Sequence, residues 1–293
     1  MGMRMSEPNY LTTREVARLC RVSDATVKRW EDAGFLKSER TSGKHRRFRA
    51  EEIARFQREQ GLGQKLCHGD RSVLSAPARR RGRPDSDCSF LDLVVAGCEE
   101  DAANFVIGAY LQGTGLTDIF DHLISPAMRR IGEMWYRTEL SVAQEHLASR
   151  AAQYAVHKLR TALPLPEMKG RTAFCAAFES DYHDLPPYLA QLTIENEGWE
   201  VMNFGANIPF FSLREEIVKY SPEAICLSAT YLTEIERLAR EYREIYDTAA
   251  RLKIPVILGG RVFEDDHLRR RFPADLYPET FGEVAAFIEK LAD

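Results

Sequence analysis

Between residues 170 and 260 the chain alternates four short apolar runs, 172–178, 199–205, 223–229 and 255–260, with amphipathic stretches such as 186–198 and 231–252. Runs this short read as buried strands and the longer stretches as helices. Strands joined by helices pair in parallel, because a parallel neighbour is reached only by a crossover. The pattern therefore predicts an open parallel sheet with helices on both faces, of the flavodoxin-like, Rossmann-like type. In such folds ligands sit outside the carboxyl ends of the strands.

The rest of the chain follows other rules. From 88 to 166 the apolar spacing is helical and no strand signal interrupts it. With Gly113, Gly115 and Ser125-Pro126 as punctuation, four helices fit, which suits a four-helix bundle. Residues 8–62 read as short helices with a basic turn between them. Thr12 or Thr13 caps the first, Ser23 opens the second, Gly34 closes it, and Ala50-Glu51-Glu52 opens a third after a hairpin at Thr41-Ser42-Gly43-Lys44. Residues 63–87 are rich in Pro, Gly, Ser and Arg without periodicity, as a linker is. The expected architecture is multidomain, α and α/β: a winged helix-turn-helix (8–62), a linker (63–87), a helical bundle (88–166) and a parallel sheet domain (170–293).

Charge separates these parts. Residues 1–90 hold 20 Lys/Arg against 12 Asp/Glu, a balance of +8, and since the whole chain is −4 the remainder is −12. A basic head on an acidic body hints at a nucleic-acid-binding module attached to something else. The 44% hydrophobic and 29% charged residues are those of globular protein, without an apolar run of membrane-spanning length. No signal peptide is recognisable, and the six cysteines show no CxxC spacing. The expectation is a cytoplasmic protein with reduced thiols.

In residues 24–33, Thr26, Lys28 and Arg29 can face outward while Val27 and Trp30 pack inward, as a recognition helix in the major groove requires. Lys44, His45, Arg46 and Arg47 are expected on a short turn within reach of phosphates or an adjacent groove. A lone basic stretch is usually a solvated surface. Here it follows Leu11-Thr12, Glu15-Val16-Ala17, Val22-Ser23, Thr26 to Trp30 and Gly34 in order, and the segment resembles the MerR-type and BldC-like winged helices. That resemblance implies binding to double-stranded DNA.

The loop after the first strand reads Phe178-Glu179-Ser180-Asp181-Tyr182-His183-Asp184-Leu185-Pro186. A carboxylate two residues before a histidine can hold one ring nitrogen and leave the other to a metal. Most loop histidines are simply solvated, so the string alone does not decide. Asp181-Tyr182-His183, with Gly198 to Val201, Gly205 to Pro209, Ser228-Ala229-Thr230 and Gly259-Gly260, is similar to the cobalamin-binding domains of methyltransferases and mutases. The resemblance implies that His183 is the lower ligand of cobalt and Asp181 its partner. Ser228, Thr230, Gly259 and Gly260 would then line the channel for the displaced nucleotide tail. Pro186 departs from that motif, which has glycine there.

Trp135, nine residues, then Glu145-His146 resembles the signature of cobalamin photoreceptor regulators of the CarH/LitR type. In that family the Trp covers the upper face of the corrin, and Glu and His surround an adenosyl group in the dark. The resemblance implies a light-responsive repressor and not an enzyme, with adenosylcobalamin as chromophore and a dark homo-oligomer, tetramer or dimer, on DNA. Tyr136 stands where well-known members have a histidine directly after the Trp. Tyr136 and Pro186 leave open a regulator of the same fold that senses cobalamin without light, another tetrapyrrole (haem or bilin) or a protein partner. A corrinoid methyl carrier would share the Asp-x-His motif but has no need to read DNA.

Overall fold

The computed structural model describes residues 10–19, 24–32, 34–40, 45–49, 52–53, 56, 89–164 and 166–292. The chain divides into two units, Met1–Pro164 and Leu165–Asp293.

The first unit begins with β1 (Tyr10–Thr12), α1 (Thr13–Leu19), α2 (Asp24–Asp32), β2 (Glu39–Arg40) and β3 (Arg46–Arg49). Thr12 is the residue that caps α1: its hydroxyl accepts the Glu15 N–H at 3.2 Å, and the Glu15 carboxylate accepts the Thr12 N–H at 2.7 Å. This reciprocal pair satisfies two donors that a helix start leaves over. Gly34 ends α2 at φ +79°, where a side chain is disfavoured. The strands form an antiparallel sheet in the order β1-β3-β2. The short strand β1 has no alternating pattern long enough to announce it. Ser23 and the hairpin tip expected at 41–44 lie outside the described residues, as does the linker. Val16, Val27, Leu36, Phe48, Ile53 and Phe56 are buried together, and Trp30 stacks obliquely on Phe56 with ring centres 4.9 Å apart.

The helical segment continues with α3 (Phe90–Val95), α4 (Glu99–Leu111), α5 (Leu116–Ile119), a π turn (Phe120–Ile124), α6 (Ser125–Tyr136) and α7 (Val142–Arg160). Ser125-Pro126, expected to break a helix, does not. The wider π turn takes the Ser125 N–H to the Phe120 carbonyl, and Pro126 at the start of α6 needs no donor of its own. α5, the π turn and α6 therefore run on as one interrupted helix, and the count of four comes instead from a break not expected from sequence, at Gly97 (φ +68°) between α3 and α4.

The second unit alternates as expected: β4 (Thr172–Ala177), α8 (Leu185–Asn196), β5 (Glu200–Asn203), α9 (Phe210–Tyr220), β6 (Ala224–Ser228), α10 (Ile235–Leu252), β7 (Val256–Gly259), a 3-10 turn (Arg261–Glu264), α11 (Asp266–Arg269) and α12 (Phe281–Ala292). All pairings are parallel, in the order β5-β4-β6-β7. One face of the sheet packs on α9 and α10 through Phe174, Phe178, Phe210, Tyr242 and Phe272; the other packs on α8 and α12 through Trp199, Ile194 and Ile288. Cys175 and Cys226 face each other across β4 and β6 as free thiols. Hydrogen bonding to Cys226, with burial, pushes the Cys175 thiol up, so it stays protonated and inert.

Candidate functional site

The strand order reverses between β4 and β6, because the chain goes from β4 outward to β5 and returns past β4 to β6. Such a reversal opens a crevice at the carboxyl ends of those two strands. The loop leaving β4 supplies Asp181 and His183 to it, and β6 ends in Ser228, just before Thr230. Asp181 is 1% exposed. One of its oxygens accepts from the His183 backbone N–H at 3.1 Å and meets the His183 ring at Nδ1, 2.6 Å away. The other accepts the Thr230 N–H at 2.5 Å, tying the two loops together. A buried carboxylate against Nδ1 keeps that nitrogen protonated, which presents Nε2 as the lone-pair donor. The imidazole itself is 57% exposed, so the ring is held from below and offered outward.

Ser228 is buried, and its hydroxyl has no hydrogen-bond partner among the described residues. A buried hydroxyl left unpaired costs about 1–3 kcal/mol, so a polar group supplied from outside the chain is the natural complement. The two neighbouring glycines differ from one another. At Gly259 an added Cβ meets only Pro278, at 3.8 Å, an ordinary contact. At Gly260 (φ +99°) it lies 2.5 Å from the Ala229 carbonyl oxygen. The close approach at Gly260 is thus to the protein's own backbone, whatever else the crevice holds.

On the bundle, the turn 137–141, with Thr138 at φ +60°, brings the end of α6 and the start of α7 together. Trp135 is 48% exposed and Tyr136 is 83% exposed, so this Trp is not bundle core. Ser141 caps α7, and within its first turn Glu145 bonds to His146 Nδ1 at 2.6 Å and accepts from the Ser149 hydroxyl at 2.6 Å. Val142 and Leu147 add exposed apolar surface nearby in sequence. One end of the bundle therefore carries uncovered apolar side chains beside a His–Glu pair, an arrangement that suits a large, mostly apolar ligand.

On the N-terminal module, Lys28 and Arg29 are exposed on α2, Thr26 is half-buried, and Arg29 reaches the Thr26 hydroxyl at 3.4 Å. Arg46 and Arg47 do not lie on a turn as expected. They lie on β3, and only His45 of the described basic group precedes it; Lys44 is outside the described residues. Arg46 pairs with Glu31, and with Asp32 at 3.5 Å, which braces the sheet against α2. Burial pushes the Glu31 carboxyl up, but the Ser38 hydroxyl and the Arg46 guanidinium outweigh it and hold it below the usual range. Arg47 bonds to the Arg46 carbonyl at 3.2 Å.

Comparison with known proteins finds matches to three stretches of the chain. A helix-turn-helix domain model matches residues 10–61, and B12 binding domain models match 89–160 and 171–285. The HTH-type transcriptional repressor CarH of Myxococcus xanthus is 29% identical over 147 residues, covering 48% of this chain. In these modules the chain is similar to a CarH-type cobalamin-binding transcription regulator. Its match spans 46% of the length of that relative. Dimethylamine corrinoid protein 1 of Methanosarcina mazei is 20% identical over 69% of this chain and 94% of its own. The solved monomethylamine corrinoid protein of Methanosarcina barkeri superposes with a TM-score of 0.55, at 20% identity, over 69% of this chain and 96% of its own, a likeness of fold.

The chain's own residues fit a corrin: a histidine with its inner nitrogen held, and an orphaned buried hydroxyl at the end of β6. Two further residues at this edge were not singled out from sequence as site residues. Asp184 accepts the Ala206 N–H at 2.7 Å, and Asn207 accepts the Ser180 N–H at 2.8 Å. Asn207 belongs to a string that carries the resemblance and Asp184 directly follows one, but only their long-range partners give them a role. Among the described residues no helix is long and apolar enough to cross a membrane.

Proposed function

We propose that the chain is a light-responsive transcriptional repressor that uses adenosylcobalamin as chromophore, binds DNA as a dark oligomer in the cytoplasm, and releases it on illumination. The observation that carries this reading is the buried Asp181, joined to His183 Nδ1 and to the Thr230 N–H, in a chain that also has a helix-turn-helix domain. Three modules, 8–62, 88–166 and 170–293, joined by 63–87, divide the work. His183 holds the lower side of the cofactor through Nε2, with Asp181 orienting it. Ser228, Thr230 and Gly259 flank the nucleotide tail, and Gly260 shapes the turn beside them. Trp135, Glu145 and His146 serve the upper side. When bound, adenosylcobalamin supplies a cobalt–carbon bond that light can break.

Thr26, Lys28, Arg29, Lys44, His45 and Arg47 meet DNA, and Arg46 also sets the angle between the sheet and α2. Two or four heads acting on repeated half-sites gain avidity of ~10²–10⁴ over one. Such a switch works by binding, not turnover. Sequence similarity to corrinoid proteins favours a second reading, a methyl carrier. The helix-turn-helix domain favours the first.

The test is to incubate the full chain with adenosylcobalamin in darkness, remove free cofactor, and record absorption, size-exclusion profile and DNA retardation before and after green light. Co-eluting corrin, a light-dependent spectrum, and loss of both the oligomer and the DNA complex are expected. Retained corrin with light-indifferent DNA binding would overturn the light switch and leave a cobalamin sensor. Separately, Lys28→Ala and Arg29→Ala are each expected to weaken DNA binding. A phosphate-contacting residue among them lowers the salt slope of log K by about 1 and weakens all sequences alike. A base-contacting one relaxes specificity at one position. Gel-shift titrations over a salt series on operator and unrelated DNA check this.

A further inference from the structure

The loop that carries His183 is tied at both of its ends to the loop that follows β5. Asn207 makes two of the ties: its side-chain oxygen accepts the Ser180 N–H at 2.8 Å, and its own N–H donates to the Asp181 carbonyl at 2.8 Å. Asp184 makes the third by accepting the Ala206 N–H at 2.7 Å. Ser180 (φ +67°) and Asn207 (φ +55°) both hold left-handed backbone, which non-glycine residues occupy at a cost and keep only when their surroundings fix them. At Gly205, with φ +74°, an added Cβ would lie 3.2 Å from the Asp184 carboxylate. Pro186 then fixes the first turn of α8 immediately behind Asp184.

We infer that Asp184 and Asn207 are positioning residues. They lock the 180–184 loop against 205–207, so that the Asp181–His183 pair stands ready before any corrin arrives. The inference rests on His183 being the cobalt ligand, as proposed above. His183 lies between two anchored residues, Asp181 and Asp184, so its backbone cannot swing away without breaking ties on both sides. Order already present in the free chain does not have to be imposed on binding, and that lowers the cost of ligation. It also accounts for proline at 186: a loop clamped by side chains on both flanks has no need of the freedom that glycine provides.

The test uses the full chain and the variants Asn207→Gly, Asn207→Asp, Asp184→Ala and Asp184→Asn, with His183→Ala as control. Asn207→Gly keeps the left-handed backbone and removes the acceptor, while Asn207→Asp and Asp184→Asn restore one. In the cofactor-free chain, the ¹⁵N shifts of His183 report which ring nitrogen carries the proton. In chain loaded with cob(II)alamin, electron paramagnetic resonance reports the nitrogen splitting from an axial imidazole. The expected result is a pure Nδ1–H tautomer in the wild type, a mixture in Asn207→Gly and Asp184→Ala, and restoration in Asn207→Asp and Asp184→Asn. Cob(II)alamin affinity falls about 10–100-fold in the two broken variants, as for loss of an outer-shell partner. If both broken variants keep the wild-type tautomer and nitrogen splitting, the lock is refuted. If instead wild type and His183→Ala give the same spectrum, the ligand assignment fails, and the tautomer in the cofactor-free chain still decides the lock.

Discussion

Alanine at position 183 is expected to lower cobalamin affinity by more than the roughly 10–100-fold that loss of an outer-shell partner costs, while leaving the fold unchanged. The imidazole is more than half exposed, so its removal uncovers no core and opens no cavity. Asp181 loses the ring but keeps two backbone donors, so the cost in stability stays near the ~1 kcal/mol net worth of one hydrogen bond. Asp181→Ala behaves differently. It removes an acceptor that is 1% exposed and strands two backbone donors, those of His183 and Thr230, along with the ring Nδ1. Both affinity and stability then fall, stability by about 1–3 kcal/mol for each buried group left without a partner. Equilibrium binding of cobalamin alongside urea unfolding separates the two variants. A His183→Ala chain that binds cobalamin as the wild type does would remove His183 from the site.

Gly260→Ala is expected to cost roughly 2–5 kcal/mol, about 1–3 for overpacking and about 1–2 for left-handed backbone carrying a Cβ. The new methyl group would lie 2.5 Å from the Ala229 oxygen and 2.9 Å from its carbonyl carbon. Neither can move cheaply. The same oxygen accepts the Val262 N–H at 3.1 Å, and the Ala229 N–H is spent on the Gly259 carbonyl at 3.0 Å. Gly259→Ala is the matched control, since its Cβ meets only Pro278 at ordinary contact distance. It should unfold within about 0.5 kcal/mol of wild type. If Gly259 flanks the nucleotide tail, that variant loses cobalamin affinity without losing stability, the opposite of a purely structural effect. Urea unfolding followed through the buried Trp199 checks both; a Gly260→Ala chain as stable as wild type would show that the turn relaxes freely.

How much of this was legible in the residues depends on how far each signal reaches along the chain. The Thr12–Glu15 cap, the Gly34 stop, the helical bundle and the four apolar runs of the sheet are local. Each is set by neighbours a few residues away, and period and capping chemistry expose it. The Asp181–His183 pair is local too, two residues apart, and so its chemistry could be read before its place in the fold. The sheet's parallel character also follows from sequence, because helices separate its strands.

Tertiary structure alone decided the rest. The order β5-β4-β6-β7 puts the crevice between β4 and β6, and no local pattern encodes which strands become neighbours. That order gives Asp181 its second partner, Thr230, 49 residues away, and gives Asn207 its hold on Ser180, 27 residues away. Gly260 looked like room for a ligand, yet the backbone it must clear is that of Ala229, on a different strand end. Arg46 read as one of a basic run; the fold set Glu31 and Asp32 beside it and made it a brace. Pro126 read as a helix breaker until a π turn accommodated it. What each segment becomes could be read along the chain, because it follows from short-range sterics and hydrogen bonding. Which segments meet, and so which polar groups are paired, braced or left waiting, was decided only when the strands packed, because burial is a property of the whole fold.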